Sequence, residues 1–221
     1  MKKYSSFIFD MDGTLVHNMQ YHKEAWLKLL TSRGLSMTEE EWMDNNHGTL
    51  TEVVRRIFGN QYTEQQIMEI GEEKELLYRE IYKHFIKPVK GLLEFLEILK
   101  SDKFNKALAT MGDHRNIDFT LKGIGLVGYF GVELGAEDVQ RGKPHPDIFI
   151  QAAGNMNVQP YECLVFEDSF SGIEAARKAG MEVVVLSTTH SREELKVLDL
   201  NYVINDYEDP LLCELIEYYS N

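Results

Sequence analysis

Cysteine, basic residues and long apolar runs are scarce in this chain. Its two cysteines, Cys163 and Cys213, lie far apart and outside any metal-binding spacing, which favours a reduced cytoplasmic setting. Lysine and arginine total 23 against 36 acidic residues, and the net charge of −13 opposes broad attraction to nucleic acid or an anionic membrane. No apolar run approaches the length of a membrane span. We expect a cytoplasmic protein that is monomeric and has neither nucleic-acid nor membrane partners.

The rest of the composition is that of a folded globular protein. Hydrophobic residues make up 43% and charged residues 27% of the 221 positions. This length suffices for one domain with a large insertion or for two modest domains. Composition alone leaves both arrangements open.

Hydrophobic patterns divide the chain into three parts. An apolar run over residues 4–9, rich in aromatic and β-forming residues, predicts a buried strand. Between Val16 and Pro88 nothing resembles a strand, and helical periodicity predicts three helices. These helices cover residues 21–30, 50–58 and 63–85. Beyond Pro88, predicted helices over 91–99, 116–122, 146–153 and 172–179 alternate with predicted strands over 106–110, 132–134, 164–166, 182–186 and 202–204.

This alternation predicts an α/β fold with a doubly wound parallel sheet, because right-handed crossovers place helices on both faces. The N-terminal strand must join that sheet, since an isolated strand cannot satisfy its own backbone hydrogen bonds. The helical part is then an inserted α-helical cap. We expect a core domain of residues 1–15 and 89–221 and a cap domain of residues 16–88. In such sheets ligands bind beyond the carboxyl ends of the strands.

An acidic pair, Asp10 and Asp12, follows the N-terminal strand at a spacing of two residues. Side chains two apart on a strand point the same way, so these carboxylates share one small volume. Such a pair holds a divalent cation or works as an acid and a base. The alternative is a solvated turn at Gly13 and Thr14.

Two further segments supply groups suited to a phosphate. Thr110, Met111 and Gly112 end the second strand of the predicted sheet, where a hydroxyl and backbone amides would suit phosphate oxygens. The alternative there is an ordinary turn in which Thr110 caps a helix. Lys143, held between Gly142 and Pro144, offers a cation to carboxylates and a phosphoryl group, unless it is a surface lysine on a loop that starts a helix.

A second acidic pair, Glu167 and Asp168, lies at the end of another predicted strand. Mg²⁺ prefers near-octahedral oxygen ligands from a few carboxylates, phosphate and water. Asp10 and Asp168, with the backbone carbonyl of Asp12, would supply part of such a shell. The strand ends therefore predict a Mg²⁺ site.

Taken in order, these motifs resemble those of haloacid dehalogenase-superfamily hydrolases, in the subgroup with a helical cap inserted after the first motif. The chain is similar to β-phosphoglucomutase-like phosphatases, whose core is a Rossmann-like sheet. The resemblance runs from near the N-terminus to beyond residue 180. The matching motifs are Asp10-Met11-Asp12-Gly13-Thr14, Thr110, Lys143 with Pro144, Glu167-Asp168 with residues 169–176 after it, and Ala179-Gly180-Met181.

The resemblance implies a covalent aspartyl phosphate. Asp10 would attack the phosphorus of a phosphomonoester, and Asp12 would protonate the leaving alcohol and later deprotonate a water molecule. The implied metal site holds Mg²⁺ and draws on Asp10, Asp12, Glu167 and Asp168, with Glu167 acting through water or as a supporting group.

The resemblance also implies how the phosphate is held. Lys143 and Mg²⁺ would shield the charge of the nucleophile from that of the phosphate. Thr110 and the amides of Met111 and Gly112 would hold the transferred phosphoryl oxygens, so that catalysis rests on positioning and charge stabilisation.

In the cap the resemblance is thinner. His22 is similar to a cap-helix histidine of the subgroup, although a packing histidine is an equal alternative, and Gly48-Thr49 matches a cap loop that faces the active site. The mutase carries a Ser-Arg pair where this chain has Leu50-Thr51. An arginine fork is the usual clamp for a second phosphate, so its absence argues against a mutase.

Four other cap and core residues remain candidates for substrate contacts. Arg55 and Arg56 lie about one helical turn beyond Leu50-Thr51 and could replace the missing fork. His114 and Arg115 follow the second strand closely enough to contact substrate.

Together these features predict a Mg²⁺-dependent phosphatase acting on a small phosphorylated metabolite of the sugar type. One alternative is a phosphosugar mutase with the same mechanism. Another is a receiver-type phospho-acceptor module without catalytic activity. Asp12 opposes the receiver alternative, because a positioned acid and base would speed loss of the phosphoryl group.

Overall fold

The computed structural model describes residues 4–100, 104–212 and 215. Six parallel strands form one sheet in the order β3-β2-β1-β4-β5-β6, which confirms the predicted α/β doubly wound sheet. The strands are β1 Ser6–Phe9, β2 Asn105–Ala109, β3 Val132–Leu134, β4 Cys163–Glu167, β5 Glu182–Leu186 and β6 Tyr202–Ile204. Cys163 is buried, and Cys213 lies outside the described residues.

The first strand lies at the centre of the sheet. β1 pairs with β2 on one side and with β4 on the other, and all four of its residues are buried. Phe9 stacks on Phe166 of β4 with ring centroids 4.7 Å apart, while Ile8 faces the opposite layer. The strand order reverses around β1, which is where ligands bind in doubly wound sheets. Asp10 follows β1 at this point.

Helices cover both faces of the sheet. They are α5 Leu92–Ile98, α6 His114–Ile124, α7 Asp147–Asn155, α8 Phe170–Lys178 and α9 Arg192–Leu195. One apolar cluster includes residues of α5 and α6, and the other includes residues of α7, α8 and α9. No helix among the described residues is long and apolar enough to cross a membrane.

Four helices lie between β1 and α5. They are α1 Met19–Ser32, α2 Glu39–Asn45, α3 Leu50–Phe58 and α4 Glu64–Tyr82. These helices share an apolar cluster of their own around Trp26, Trp42 and Ile67. Val16 forms an isolated antiparallel bridge with Pro88, so the chain enters and leaves this helical part at neighbouring points. This pairing supports the proposed division into a core of residues 1–15 and 89–221 and a cap of 16–88.

The helices differ from the sequence prediction in three places: α9 was not predicted, and α2 and the start of α6 also differ. Helix α2 was not predicted, although Thr38 and Glu41 form a capping box that marks its start. Asp113 accepts a 2.7 Å hydrogen bond from the backbone N–H of Asn116 and caps α6. The alternative in which Thr110 caps that helix is therefore wrong.

Candidate active site

Lys143 joins the ends of three strands. Its Nζ donates hydrogen bonds to Asp10 Oδ1 at 2.6 Å, to Glu167 Oε1 at 2.7 Å and to the carbonyl of Ala109 at 3.0 Å. Only 3% of Lys143 is exposed, so the alternative of a surface lysine is wrong. The loop before α7 thus places one ammonium group beside the carboxylates that follow β1 and end β4.

The electrostatics of this contact are governed by burial. Burial raises the pKa of Asp10 to about 8, against the lowering effect of Lys143 and with further raising by Glu167 and Asp12. Burial opposes the charge on Lys143, but the carboxylates of Asp10 and Glu167 hold its pKa above the ordinary value. The lysine is therefore a fixed cation, and the acidic groups around it are in excess of that one charge, so that Asp10 keeps its proton up to about pH 8 when no metal ion is bound.

Asp168 adds to that excess. It is almost fully buried and accepts a hydrogen bond from the Thr189 hydroxyl. Burial first, and then the charges of Glu167 and Asp10, raise its pKa well above the ordinary value. Gly13 passes so close, with a φ of +79°, that a Cβ there would overlap the Asp168 carboxylate.

This donor set fits a divalent cation. Asp10, Glu167 and Asp168 share one buried region with a single lysine, and an added cation would relieve their repulsion. Over residues 4–100, 104–212 and 215, no three carboxylate, imidazole or thiolate groups converge to hold a metal by themselves. The remaining ligands would be carbonyl, phosphate and water oxygens, which Mg²⁺ prefers.

Glu167 has its carboxylate fully engaged. One oxygen accepts from Lys143, and the other accepts from the backbone N–H groups of Asp168 and Ser169 and from the Ser169 hydroxyl. A Cβ at Gly172 would collide with this carboxylate. The geometry favours an indirect role for Glu167, in which it positions Lys143 and the turn that carries Asp168.

Asp12 lies on the cap side of Asp10. Its Oδ1 accepts a 2.6 Å hydrogen bond from Asn18 Nδ2 and lies 3.6 Å from His22 Nε2. Burial opposes its ionisation, but His22 and the hydrogen bond from Asn18 lower its pKa below the ordinary value. Asp12 is therefore held as a carboxylate, the form that a base needs.

Asn18 is a site residue that the sequence did not predict. Asn18 occupies the position of a helix cap just before α1, yet its side chain makes no cap hydrogen bond. Its Oδ1 instead accepts from the Gly13 N–H, and its Nδ2 donates to Asp12 and to the Tyr78 hydroxyl. Nothing in the sequence distinguishes this asparagine from an ordinary cap.

Thr110 lies at the same edge of the sheet. Its hydroxyl oxygen accepts a 3.0 Å hydrogen bond from the Gly112 N–H, and its own N–H donates to the carbonyl of Leu134. The hydroxyl hydrogen is thus free to point at a bound anion. Met111 and Gly112 follow it along the wall of the cavity.

A buried polar chain extends from Asp12 into the cap. His22 Nδ1 lies 2.8 Å from Lys74 Nζ, and that ammonium donates to Glu75 Oε1 at 2.8 Å. Glu75 Oε2 then accepts a 2.7 Å hydrogen bond from Asn116 Nδ2 on core helix α6. The sequence did not predict that the site includes Lys74, Glu75 and Asn116. A Lys-Glu pair within a helix gives no sign in the sequence that it lines a cavity.

These groups line one cavity of about 140 Å³ between cap and core. At about 30 Å³ for each water molecule in the liquid, this volume holds about five water molecules. Most of the predicted site residues line it. They are Asp10, Asp12, His22, Gly48, Thr110, Met111, Gly112, Lys143, Glu167 and Asp168.

Three predicted substrate residues lie outside this lining. The Thr49 hydroxyl forms a capping box with Glu52 at the start of α3. His114 pairs with Asp138 at 2.9 Å, and Arg115 pairs with Glu72. Their side chains are engaged elsewhere.

The two cap arginines are also engaged outside the cavity. Arg55 pairs with Glu64, and Arg56 donates to the backbone carbonyls of Asn45 and His47. Neither arginine lines the cavity, so neither replaces the missing fork in this conformation.

The loop at Gly48 rests on the core loop that carries Lys143. A Cβ at Gly142 would lie 2.6 Å from the backbone nitrogen of Thr49 and 2.8 Å from the Cα of Gly48. Backbone therefore meets backbone at this point, and the cap covers the site.

Comparisons with known proteins agree with this architecture. The family model for haloacid dehalogenase-like hydrolases matches residues 4–180. The fructose-1-phosphate phosphatase YqaB of Escherichia coli is 30% identical over 83% of this chain and 96% of its own. A phosphorylated carbohydrates phosphatase of Thermotoga maritima is 32% identical over 86% of this chain and 88% of its own.

A solved structure shows the same overall fold. The β-phosphoglucomutase of Clostridium difficile superposes with a TM-score of 0.85 at 26% identity, covering 98% of this chain and 97% of that one. These similarities confirm the resemblance inferred from the strand-end motifs.

Proposed function

This chain belongs to the haloacid dehalogenase-like hydrolase family and is an enzyme, and we propose that it is a phosphatase for a small, sugar-type phosphomonoester. The proposed reaction passes through an aspartyl phosphate on Asp10 and depends on Mg²⁺. The observation that carries the proposal is the contact of Lys143 with Asp10 at 2.6 Å, in a cavity that Thr110 also lines and that the cap covers.

In the first step a carboxylate oxygen of Asp10 attacks phosphorus. The bond between phosphorus and the substrate's ester oxygen breaks, and Asp12 donates a proton to that oxygen, so that an alcohol leaves. His22 and Asn18 favour the ionised form of Asp12. The negative charge of the incoming phosphate raises that pKa, so that Asp12 takes up a proton from solvent as the substrate binds and has it to donate to the leaving oxygen.

In the second step Asp12, now ionised, takes a proton from a water molecule. The water oxygen attacks phosphorus, the bond to Asp10 breaks, and inorganic phosphate forms. Lys143 and the Thr110 hydroxyl stay in contact with the phosphoryl oxygens through both steps. These fixed donors stabilise the charge of the transition state better than bulk solvent does.

Asp10 and Asp168, with the backbone carbonyl of Asp12, would hold Mg²⁺. When bound there, the ion would favour the ionised form of Asp10 that attacks phosphorus, and it would neutralise phosphate charge that otherwise repels this carboxylate. Glu167 would support this site through Lys143 and the Asp168 turn rather than as a direct ligand.

A sugar-type substrate is supported by the relatives. Two of them are named as phosphatases of fructose 1-phosphate and of phosphorylated carbohydrates. A mutase activity is not favoured, because a bisphosphate intermediate needs a second cationic grip and no arginine in the described part of the chain lines the cavity. The family match also argues against a receiver-type module. A cytoplasmic, monomeric protein stays a prediction from the sequence.

The test is a panel of phosphomonoesters assayed with Mg²⁺ for phosphate release and for isomerisation. We expect phosphate release by the wild type and a loss on the order of 10³-fold or more in Asp10→Asn. Asp118→Asn is the matched control, because Asp118 is exposed on α6 and pairs with Lys122. Full activity in Asp10→Asn, or isomerisation without phosphate release, would overturn the proposal.

A further inference from the structure

The end of the cavity remote from the phosphate site has an unusual charge arrangement. Among the described residues that line the cavity, Lys74 is the only lysine or arginine besides Lys143. Its ammonium is paired with Glu75 at 2.8 Å, and both side chains are almost fully buried. The single cap cation is therefore already neutralised by a carboxylate at the cavity wall.

Glu75 is held as a carboxylate. Burial opposes its charge, but Lys74 and His22, with hydrogen bonds from Lys74 and Asn116, keep its pKa below the ordinary value. One of its oxygens accepts from Lys74 and the other from Asn116. Each oxygen retains a lone pair that a hydroxyl group could use.

The place of Glu75 follows from its contacts. Asp12 stands where the leaving oxygen of the substrate must lie, His22 contacts Asp12, and Lys74 contacts His22. Glu75 comes next in this sequence of contacts and lines the same cavity. The organic part of a substrate that reaches beyond the leaving oxygen therefore approaches the Glu75 carboxylate.

We propose that Glu75 determines specificity: it accepts substrates whose remote end is uncharged and hydroxylated, and it rejects those that carry a carboxylate or a second phosphate there. This inference rests on the proposed phosphatase function. A sugar hydroxyl can donate to the Glu75 carboxylate, whereas an anion meets a like charge in a poorly solvated region whose cation, Lys74, is already paired. Rejection by a repulsive group supplies discrimination that attractive contacts alone do not.

A matched pair of substrates tests this proposal. Sorbitol 6-phosphate and 6-phosphogluconate are open six-carbon chains that differ chiefly in a hydroxymethyl or a carboxylate at the remote end. We expect the wild type to favour sorbitol 6-phosphate in kcat/KM. In Glu75→Gln we expect the ratio to move at least tenfold toward 6-phosphogluconate, mainly through a lower KM for the acid.

The control is Glu73→Gln, which removes the same charge from the same helix. Glu73 is half-exposed, pairs with Arg33 and does not line the cavity. We expect its ratio to equal that of the wild type. Each ratio compares two substrates on one enzyme preparation, so an inactive or unfolded fraction cancels from the ratio of kcat/KM values. Glu75→Ala provides a second neutral variant.

A double variant separates charge from packing. In Glu75→Gln the new amide faces the Asn116 amide donor, whose Oδ1 is already engaged by Arg79 at 2.7 Å. Adding Asn116→Asp gives an acceptor both to the new amide at position 75 and to the Arg79 guanidinium. It also returns one negative charge to the cavity wall. We expect the double variant to recover most of the wild-type preference for sorbitol 6-phosphate.

The outcomes distinguish this inference from the function on which it rests. An unchanged ratio in both neutral variants, or a wild type that prefers 6-phosphogluconate, overturns the role of Glu75 and leaves the phosphatase intact. A wild type that hydrolyses p-nitrophenyl phosphate but neither chain substrate also overturns it. No phosphate release from any of the three compounds overturns both.

Discussion

The side-chain amide of Asn18 donates a 2.6 Å hydrogen bond to the carboxylate of Asp12. The same asparagine accepts from the Gly13 N–H at 3.2 Å, so it ties the acid and base residue to the turn that follows it. Asn18 is fully buried at the entry to the cap. The orientation of Asp12 therefore depends on a residue just before the first cap helix.

Replacing this residue should uncouple Asp12 from the cap. We expect Asn18→Ala to lower kcat by about tenfold to a hundredfold with a smaller change in KM, because the acid and base group loses its fixed orientation. The buried Tyr78 hydroxyl loses its hydrogen bond from Asn18, which should cost about 1–3 kcal/mol of unfolding free energy. Steady-state kinetics and urea unfolding measure the two effects.

Asn45→Ala is the matched control for Asn18→Ala. Asn45 bonds to a backbone carbonyl in the exposed part of α2, and its loss should leave kcat within twofold of the wild-type value. A wild-type kcat in Asn18→Ala would show that Asp12 is positioned without it.

Gly13 offers a second comparison within the chain. Gly13 and Gly34 have similar positive φ angles of +79° and +69°, but a Cβ at Gly13 would overlap Asp168, whereas one at Gly34 meets nothing within 4 Å. We expect Gly34→Ala to cost about 1 kcal/mol, the backbone term alone. Gly13→Ala should cost more and should also weaken Mg²⁺ binding by displacing the Asp168 carboxylate.

Urea unfolding and Mg²⁺ titration of both glycine variants provide the measurement. Equal losses of stability with intact Mg²⁺ affinity in Gly13→Ala would mean that the contact with Asp168 is unimportant.

Mg²⁺ should stabilise the folded protein. At a free concentration about 100 times Kd, a ligand that binds only the folded state adds about 2.7 kcal/mol, which raises Tm by several degrees at this chain length. We expect this rise in the wild type and its loss in Asp168→Asn. Asp138 pairs with His114 away from the cavity, so Asp138→Asn should keep the rise in Tm.

Differential scanning fluorimetry with Mg²⁺ or with EDTA gives the comparison for the metal. An Asp168→Asn protein that responds to Mg²⁺ as strongly as the wild type would remove Asp168 from the metal site.

In EDTA, stability should fall as pH rises. The pKa of Asp10 moves from an ordinary value of 3.8 to about 8 in the folded protein. Between these values the unfolded chain has released a proton that the folded protein keeps, so the free energy of unfolding decreases with pH, and the loss is complete above about pH 8. Asp168 shifts in the same direction and adds to the slope.

Urea unfolding at several pH values between 4 and 8 measures this slope. Asp10→Asn should flatten it without abolishing it, since Asp168 still titrates. An equal slope in wild type and Asp10→Asn would contradict the raised pKa of Asp10.

The sheet and the core of the site could be predicted because their signals are local. Strand ends that carry Asp10, Thr110 and Asp168 meet at one edge whenever the strands are parallel. Lys143 lies in the loop before α7 and not at the end of a strand. Its place in the site could therefore be predicted only together with the other motifs. Its three acceptors follow only from the folded chain.

The cap side was less predictable. Asn18, Lys74 and Glu75 act through contacts between helices distant in sequence, and no local pattern marks such contacts. His114 was a candidate because it follows the second strand closely, but its side chain pairs with Asp138 outside the cavity, although Asn116 on the same helix lines it. Proximity in sequence to a strand end is therefore insufficient once a helix begins.

The covalent step at Asp10 is most directly tested with Asp12→Ala and p-nitrophenyl phosphate, whose leaving group needs little protonation. Phosphorylation should then proceed while hydrolysis stalls, because no base activates water. We predict a burst of one p-nitrophenolate per enzyme, with Asp10 as the residue reduced by borohydride in peptide mass spectrometry. Steady product release without a burst, or a modified residue other than Asp10, would contradict the account.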